Sequence, residues 1–307
     1  MRLLTVAALA CAGCSGAPVL AGPLPATWGG ATVHDLSRRS DADIRELVDV
    51  AARANLRVLR TFVLDVEEPL GRWSDGPLER IDVLLAAAAR RGVKVIVVLH
   101  DGPQRADAYA KAHPGAAFYA EPSARAAFRR RIEHVLNYRG PSTGRAWREL
   151  GDALFAWELQ GECRWFHAPE WVDDMAFYVK QLAPEHKVAC GGLGRVTEGD
   201  LARDTVRASA SVDLWLYRPS SEPADKAAAL LRALGRPWIV ADFGGVREDP
   251  HAARKSIEAG LKAARECKAP WIFWSLGPDR RIGSHDLWPG DTLFDSFIVP
   301  AASAAGR

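Results

Sequence analysis

Two acidic side chains stand where they could do chemistry. Glu162 follows an apolar run over 153–159, and Asp242 ends another over 238–242. If both runs are strands of one eight-strand barrel, they are the fourth and seventh, and their carboxylates face each other across its mouth. Opposed carboxylates suit cleavage of a glycosidic bond: one protonates the departing oxygen while the other attacks the anomeric carbon or activates a water. The same two acids could instead be solvated loop residues or ion-pair partners of Arg60. Asp35, Arg60, His100, Tyr217 and Trp274 fall at the ends of other apolar runs, so polar and aromatic groups converge on one rim.

Such a rim needs strands to build it. Short apolar, β-branched runs predict strands over 32–36, 57–63, 93–99, 153–159, 187–190, 212–217, 238–242 and 271–275. Between them, amphipathic spacing predicts helices over 41–54, 78–91, 124–138, 170–182, 198–208, 224–234 and 250–268. Strands alternating with helices imply parallel βαβ units, and a run such as Val95-Ile96-Val97-Val98-Leu99 suits a strand covered on both faces. The expected fold is α/β, a single (β/α)8 TIM barrel over 22–307. A doubly wound open sheet is the alternative, but neither the G-x-G-x-x-G nor the G-x-x-x-x-G-K-[ST] phosphate loop is present where it would be needed.

The 307 residues are 48% hydrophobic and 25% charged, which excludes disordered and small disulfide-scaffold classes. Forty Lys and Arg against 38 Asp and Glu, without a run of five like charges, give no electrostatic reason to expect nucleic acid as a partner. Met1-Arg2 followed by the apolar 3–10 run reads as an export signal over 1–21, too short to span a bilayer as a mature helix. Cleavage after Ala21 is one expectation; a lipobox-like Ala12-Gly13-Cys14, with lipid on Cys14, is the other. The expected location is thus the periplasm, an outer-membrane lipoprotein or the medium, with the membrane touched only through that lipid. Beyond the signal remain Cys163, Cys190 and Cys267, without zinc-ligand spacing; a Cys163–Cys190 bridge and three idle thiols both stay open. Eleven Trp stand against five Tyr. Trp73, Trp165 and Trp288 fall in expected βα loops as sugar platforms or loop packing, while Trp147, Trp157, Trp238 and Trp271 read as core.

The segment Trp157-Glu158-Leu159-Gln160-Gly161-Glu162 resembles the W-E-L-x-N-E-P signature of the cellulase and endo-mannanase-like glycoside hydrolases of family five. Leu56-Arg57-Val58-Leu59-Arg60, Val97-Val98-Leu99-His100, Ala241-Asp242-Phe243-Gly244 and Phe273-Trp274 resemble that family's second, third, seventh and eighth strands, in order, from about residue 40 to 276. The resemblance implies Glu162 as general acid/base, Asp242 at the position of the nucleophile and Arg60 steadying that carboxylate. It further implies His100 and Tyr217 as polar groups of the central subsite and Trp274 as its floor; Trp215, two residues before Tyr217, and the loop residue Trp165 are counted with them as candidate sugar contacts. Three positions depart from the family: Gly161 stands for an Asn, Trp215 for a His, and Asp242 for a Glu. Asp is one methylene shorter, so its backbone has moved to compensate, a water intervenes and configuration inverts, or catalysis is lost. The expectation is an exported, retaining hydrolase of β-linked saccharides, monomeric, without metal or organic cofactor. A non-catalytic saccharide-binding or envelope-assembly protein on the same barrel is the alternative.

Overall fold

Apolar runs that can be buried on both faces become the strands of this chain. The computed structural model describes residues 18–20, 22–34, 36–102, 107–161, 169–191, 209–218, 229, 232–233, 235–245, 248–277 and 285–305. Within them lie β1 (Gly29–Thr32), β2 (Val58–Phe62), β3 (Lys94–Val98), β4 (Leu154–Glu158), β5 (Lys187–Cys190), β6 (Leu214–Tyr217), β7 (Trp238–Phe243) and β8 (Trp271–Trp274). They pair in chain order, all parallel, and β8 returns to β1, which closes the barrel. The fold is a (β/α)8 TIM barrel, as the alternation implies.

The α-helices among the described residues are α1 (Asp41–Arg53), α2 (Gly76–Arg91), α3 (Ala108–Ala112), α4 (Ala117–Ala120), α5 (Pro122–Asn137), α6 (Pro169–Leu182), α7 (Pro250–Cys267) and α8 (Val299–Ala304). Local chemistry sets their ends. Ser40 and Asp43 form a capping box on α1, Gly92 takes the left-handed cap of α2, and Asp249 with Pro250 starts α7. The helix expected over 198–208 lies outside the described residues, and that over 224–234 almost wholly so.

One strand is displaced from its expected place. The run over 32–36 is not β1, which instead ends at Thr32 and begins with two glycines. Glycine weakens a strand on propensity alone, so the sequence hides this one. The structure gives the reason: a Cβ on Gly29 would lie 2.5 Å from the Trp271 ring, and one on Gly30 would lie 2.7 Å from the Val58 carbonyl. Only glycine lets β1 sit between β2 and β8. The shift carries Thr32 and His34 to the barrel mouth.

Alternation along the strands sorts side chains into two layers. Val58, Ile96, Ala156, Ala189, Leu214, Leu216, Ile239, Ala241 and Ile272 fill the interior, with Trp28 among them. Their neighbours, among them Leu59, Val95, Val97, Trp157, Trp215, Tyr217 and Val240, belong to the core between sheet and helices. Trp147, Trp157, Trp238 and Trp271 are buried, as read from the sequence. Leu20 also docks on this frame: its N–H donates to the Arg91 carbonyl at 2.7 Å, and its own carbonyl occupies the space beside Gly92 that a Cβ would need.

Candidate active site

Inward-facing positions near the C-terminal ends of the strands supply Thr32, Arg60, Phe62, Val98, Glu158, Asp242 and Trp274. Arg60 lies at the centre and is fully buried. Its Nε and Nη2 donate to Glu158 Oε2 and Oε1 at 2.6 and 2.7 Å, and its Nη1 donates to Asp242 Oδ2 and Oδ1 at 3.1 and 3.2 Å. One guanidinium on β2 therefore ties β4 to β7 across the barrel. Burial works against its charge, but Asp242 and Glu158 overcome that and keep it protonated well above the ordinary arginine range. Thr32 Oγ1 adds a donor to Asp242 Oδ1 at 3.2 Å.

Asp242 is held by an irregularity in β7. Ala241 pairs with Ile272 and Phe243 with Phe273, so Asp242 is an extra residue bulged from the ladder, with φ of 59°. A bulge re-aims a side chain, and here it aims the carboxylate at Arg60. Gly244 follows with φ of 151°, its Cα against the Trp274 carbonyl where no Cβ fits. The side chain of Asp242 keeps 11% of its surface exposed, whereas Glu158 keeps none.

Asp35, Glu162 and Trp165 lie outside the described residues. The chain leading to Glu162 is fixed up to Gly161, whose N–H donates to the His100 carbonyl at 3.0 Å, while Tyr119 Oη donates to Gln160 Oε1 at 2.9 Å. A Cβ on Gly161 would lie 2.5 Å from Phe62 Cε1 and 3.2 Å from Arg60 Nη2. Phe62 fills the room that a side chain at 161 would take.

Trp274 is partly exposed at the mouth, packed against Phe62 and Val98, with its ring 5.1 Å from that of His34. The other expected subsite residues are placed differently. His100 is wholly buried among Tyr109, Phe118 and Phe128; its Nδ1 accepts from the Gly102 N–H at 2.9 Å, and its Nε2 lies 3.0 Å from Asp107 Oδ2. Both ring nitrogens thus face protein groups. Burial lowers its pKa although Asp107 opposes this. Trp215 and Tyr217 are buried in the outer core, and the Tyr217 ring meets that of Trp238 at 6.0 Å. Leu214 and Leu216 take the inward positions of β6 instead. His100, Trp215 and Tyr217, expected as sugar contacts, are thus buried behind the rim among the described residues.

Of the loop tryptophans, Trp288 is buried, and Trp73 stacks on His134 at 4.3 Å beside a cleft of about 480 Å³ lined also by Arg130, Asn137 and Tyr138. Cys163 is outside the described residues; Cys190 is buried at the end of β5. The sequence reading missed Thr32, His34, Phe62 and Glu158. Glu158 was open to discovery, since it lies inside the strand-four motif at the same inward parity as Ala156.

The family described as GH family 5 β-mannosidase-like matches residues 98–217. Mannan endo-1,4-β-mannosidase F of Aspergillus fumigatus is 26% identical over 304 residues, an alignment that covers 80% of this chain; the chain spans only 65% of that relative's length. The endo-β-1,4-mannanase of Thermotoga petrophila superposes with a TM-score of 0.78 at 18% identity, over 90% of this chain and 76% of that one. The endo-1,4-β-mannanase of Rhizomucor miehei gives 0.77 at 19%, over 95% and 98%. At such identities the two structures establish a shared barrel.

Proposed function

We propose, from its membership of the family-five glycoside hydrolases, that this chain hydrolyses internal β-mannosidic bonds of a mannan-type polysaccharide. The relatives' substrates suggest the sugar. The observation that carries the chemistry is Asp242, bulged out of β7, gripped by Arg60 and left partly open to the mouth beside Trp274. Glu158 is sealed and engaged on both oxygens, so it is unsuited to exchanging protons with a substrate. Glu162 takes that role as general acid/base, four residues further on and past the strand end.

In this reading a mannosyl unit rests its apolar face on Trp274, and Asp242 attacks the anomeric carbon while Glu162 protonates the leaving oxygen. Arg60 holds Asp242 oriented for attack through its two contacts from Nη1. Water then takes the place of the leaving group, activated by Glu162, and the product retains its configuration. The bulge supports retention, since displaced backbone is what a carboxylate shortened by one methylene requires. No metal or organic group is needed for these steps.

Export follows the apolar 3–10 run. Of its two processing points, cleavage before Cys14 keeps Leu20 on its seat against Arg91 and Gly92, whereas cleavage after Ala21 removes it. The docked Leu20 supports the lipoprotein form, and palmitate labelling lost in Cys14→Ser tests it.

Reducing-end release from β-mannan, glucomannan and β-glucan tests the activity. Turnover on mannan should fall by at least about 10³-fold in both Glu162→Gln and Asp242→Asn, and Trp274→Ala should weaken saccharide binding with far-UV circular dichroism unchanged. Saccharide binding without turnover, indifferent to Glu162→Gln, would replace the hydrolase with a binding protein. NMR of the first-formed anomer decides between retention and inversion.

A further inference from the structure

Glu158 has no part in a two-carboxylate mechanism, yet it is the acid most completely enclosed beside it. Arg60 offers it Nε and Nη2 as a bidentate fork at 2.6 and 2.7 Å. Two parallel bonds fix the plane of a guanidinium, and once that plane is set, only Nη1 remains to point elsewhere. It points at both oxygens of Asp242. The surroundings are shaped for this arrangement: Gly191 at the end of β5 leaves the space that Glu158 Oε1 occupies, and the guanidinium carbon lies 4.6 Å from the centre of the Phe62 ring.

We propose that Glu158 is a positioning residue for the hydrolytic reaction, locking Arg60 so that its remaining nitrogen holds the shortened Asp242 carboxylate at the anomeric carbon. This rests on Asp242 being the attacking group. Among the charged groups around Asp242, Arg60 reaches it directly from β2, Glu158 stands behind Arg60 on β4, and Asp101 follows β3 within electrostatic range of Arg60. A glutamate contact worth only packing would not care which way the guanidinium faces. A clamp does.

Glu158→Gln keeps the volume but turns one acceptor into a donor that opposes an Arg60 N–H, so the fork breaks. In that variant kcat on mannan should fall about 10- to 100-fold, as for a displacement of the order of 1 Å, with KM within about twofold of wild type. Glu158→Asp, which keeps the charge on a shorter stem, should lose less. The independent readout is the NMR of the Arg60 guanidinium, assigned by its loss in Arg60→Lys. The Nη protons should be resolved separately in the wild type and in Asp242→Asn, and merge through free rotation in Glu158→Gln. An Arg60 signal that stays resolved in Glu158→Gln, or an unchanged kcat there, would overturn the clamp. Should Glu158→Gln not fold, Glu158→Asp is read by the same two measurements. A wild type with no turnover would defeat the proposed function, while the Arg60 signal would still decide the clamp.

Discussion

Phe62 and Gly161 occupy one space between them. The aromatic edge lies where a Cβ at 161 would sit, and behind it stand Arg60 and Trp274, so the ring has little room to withdraw. Gly161→Asn alone should therefore overpack the site and lower stability by roughly 1–3 kcal/mol, read as a fall of several degrees in the melting temperature. Gly161→Asn combined with Phe62→Leu should recover most of that loss; an unaltered melt in the single variant would show that Phe62 can move aside. Single residues were unequally legible in the sequence. Arg60 and Asp242 can be read because a charge in an otherwise apolar strand demands a partner, and each is the other's partner. Trp215 and Tyr217 are hard to place from the sequence because β6 reads Leu-Trp-Leu-Tyr, apolar on both faces. With no polar alternation, nothing in such a strand distinguishes the lumen from the helix side.

Strand β7 is the element on which the site turns. Its bulge at Asp242 and the positive φ of Gly244 let it separate from β8 just where Trp274 needs its own carbonyl accommodated. Gly244→Ala would place a methyl group against that carbonyl and strain the backbone as well. The expected outcome is a melting temperature lower by several degrees together with a loss of about tenfold or more in kcat, because Asp242 and Trp274 move apart; thermal melts and mannan kinetics check both. The order and kind of the elements are legible because each buried parallel strand is a short apolar run bounded by an amphipathic helix. The place of β1 is not, because its glycines answer to Trp271 and Val58, which are distant in sequence. A bulge of one residue is equally silent, since it depends on the register of a neighbour.

Over the whole molecule, buried and half-buried imidazoles set the response to acid. Burial lowers the pKa of His100, His134 and His186 below the ordinary 6.5. For each, the unfolded chain binds a proton that the folded chain refuses, so stability is full above about pH 6.5 and declines as pH falls below it. Asp107, held at about 2 against a burial that would raise it, extends the loss below its ordinary 3.8, while the raised Glu67 and Glu158 act in the opposite sense at acidic pH. Melting temperature should drop between pH 7 and 5. His186→Asn, which keeps an acceptor for the Trp157 Nε1–H now given to His186 Nδ1 at 2.9 Å, should shrink that drop; an identical pH curve would exclude His186 as a contributor. The shared guanidinium bears also on the order of assembly. Arg60 and Glu158 come from β2 and β4, so the first four strands carry a matched cation and anion, whereas Asp242 in β7 meets its counter-charge only when the two halves join. An unclosed C-terminal half would have to keep that carboxylate hydrated, which holds its strands open until the N-terminal half is there to receive it. Pulse-labelled amide exchange during refolding should find β2 to β4 protected ahead of β7, and Asp242→Asn should narrow that interval.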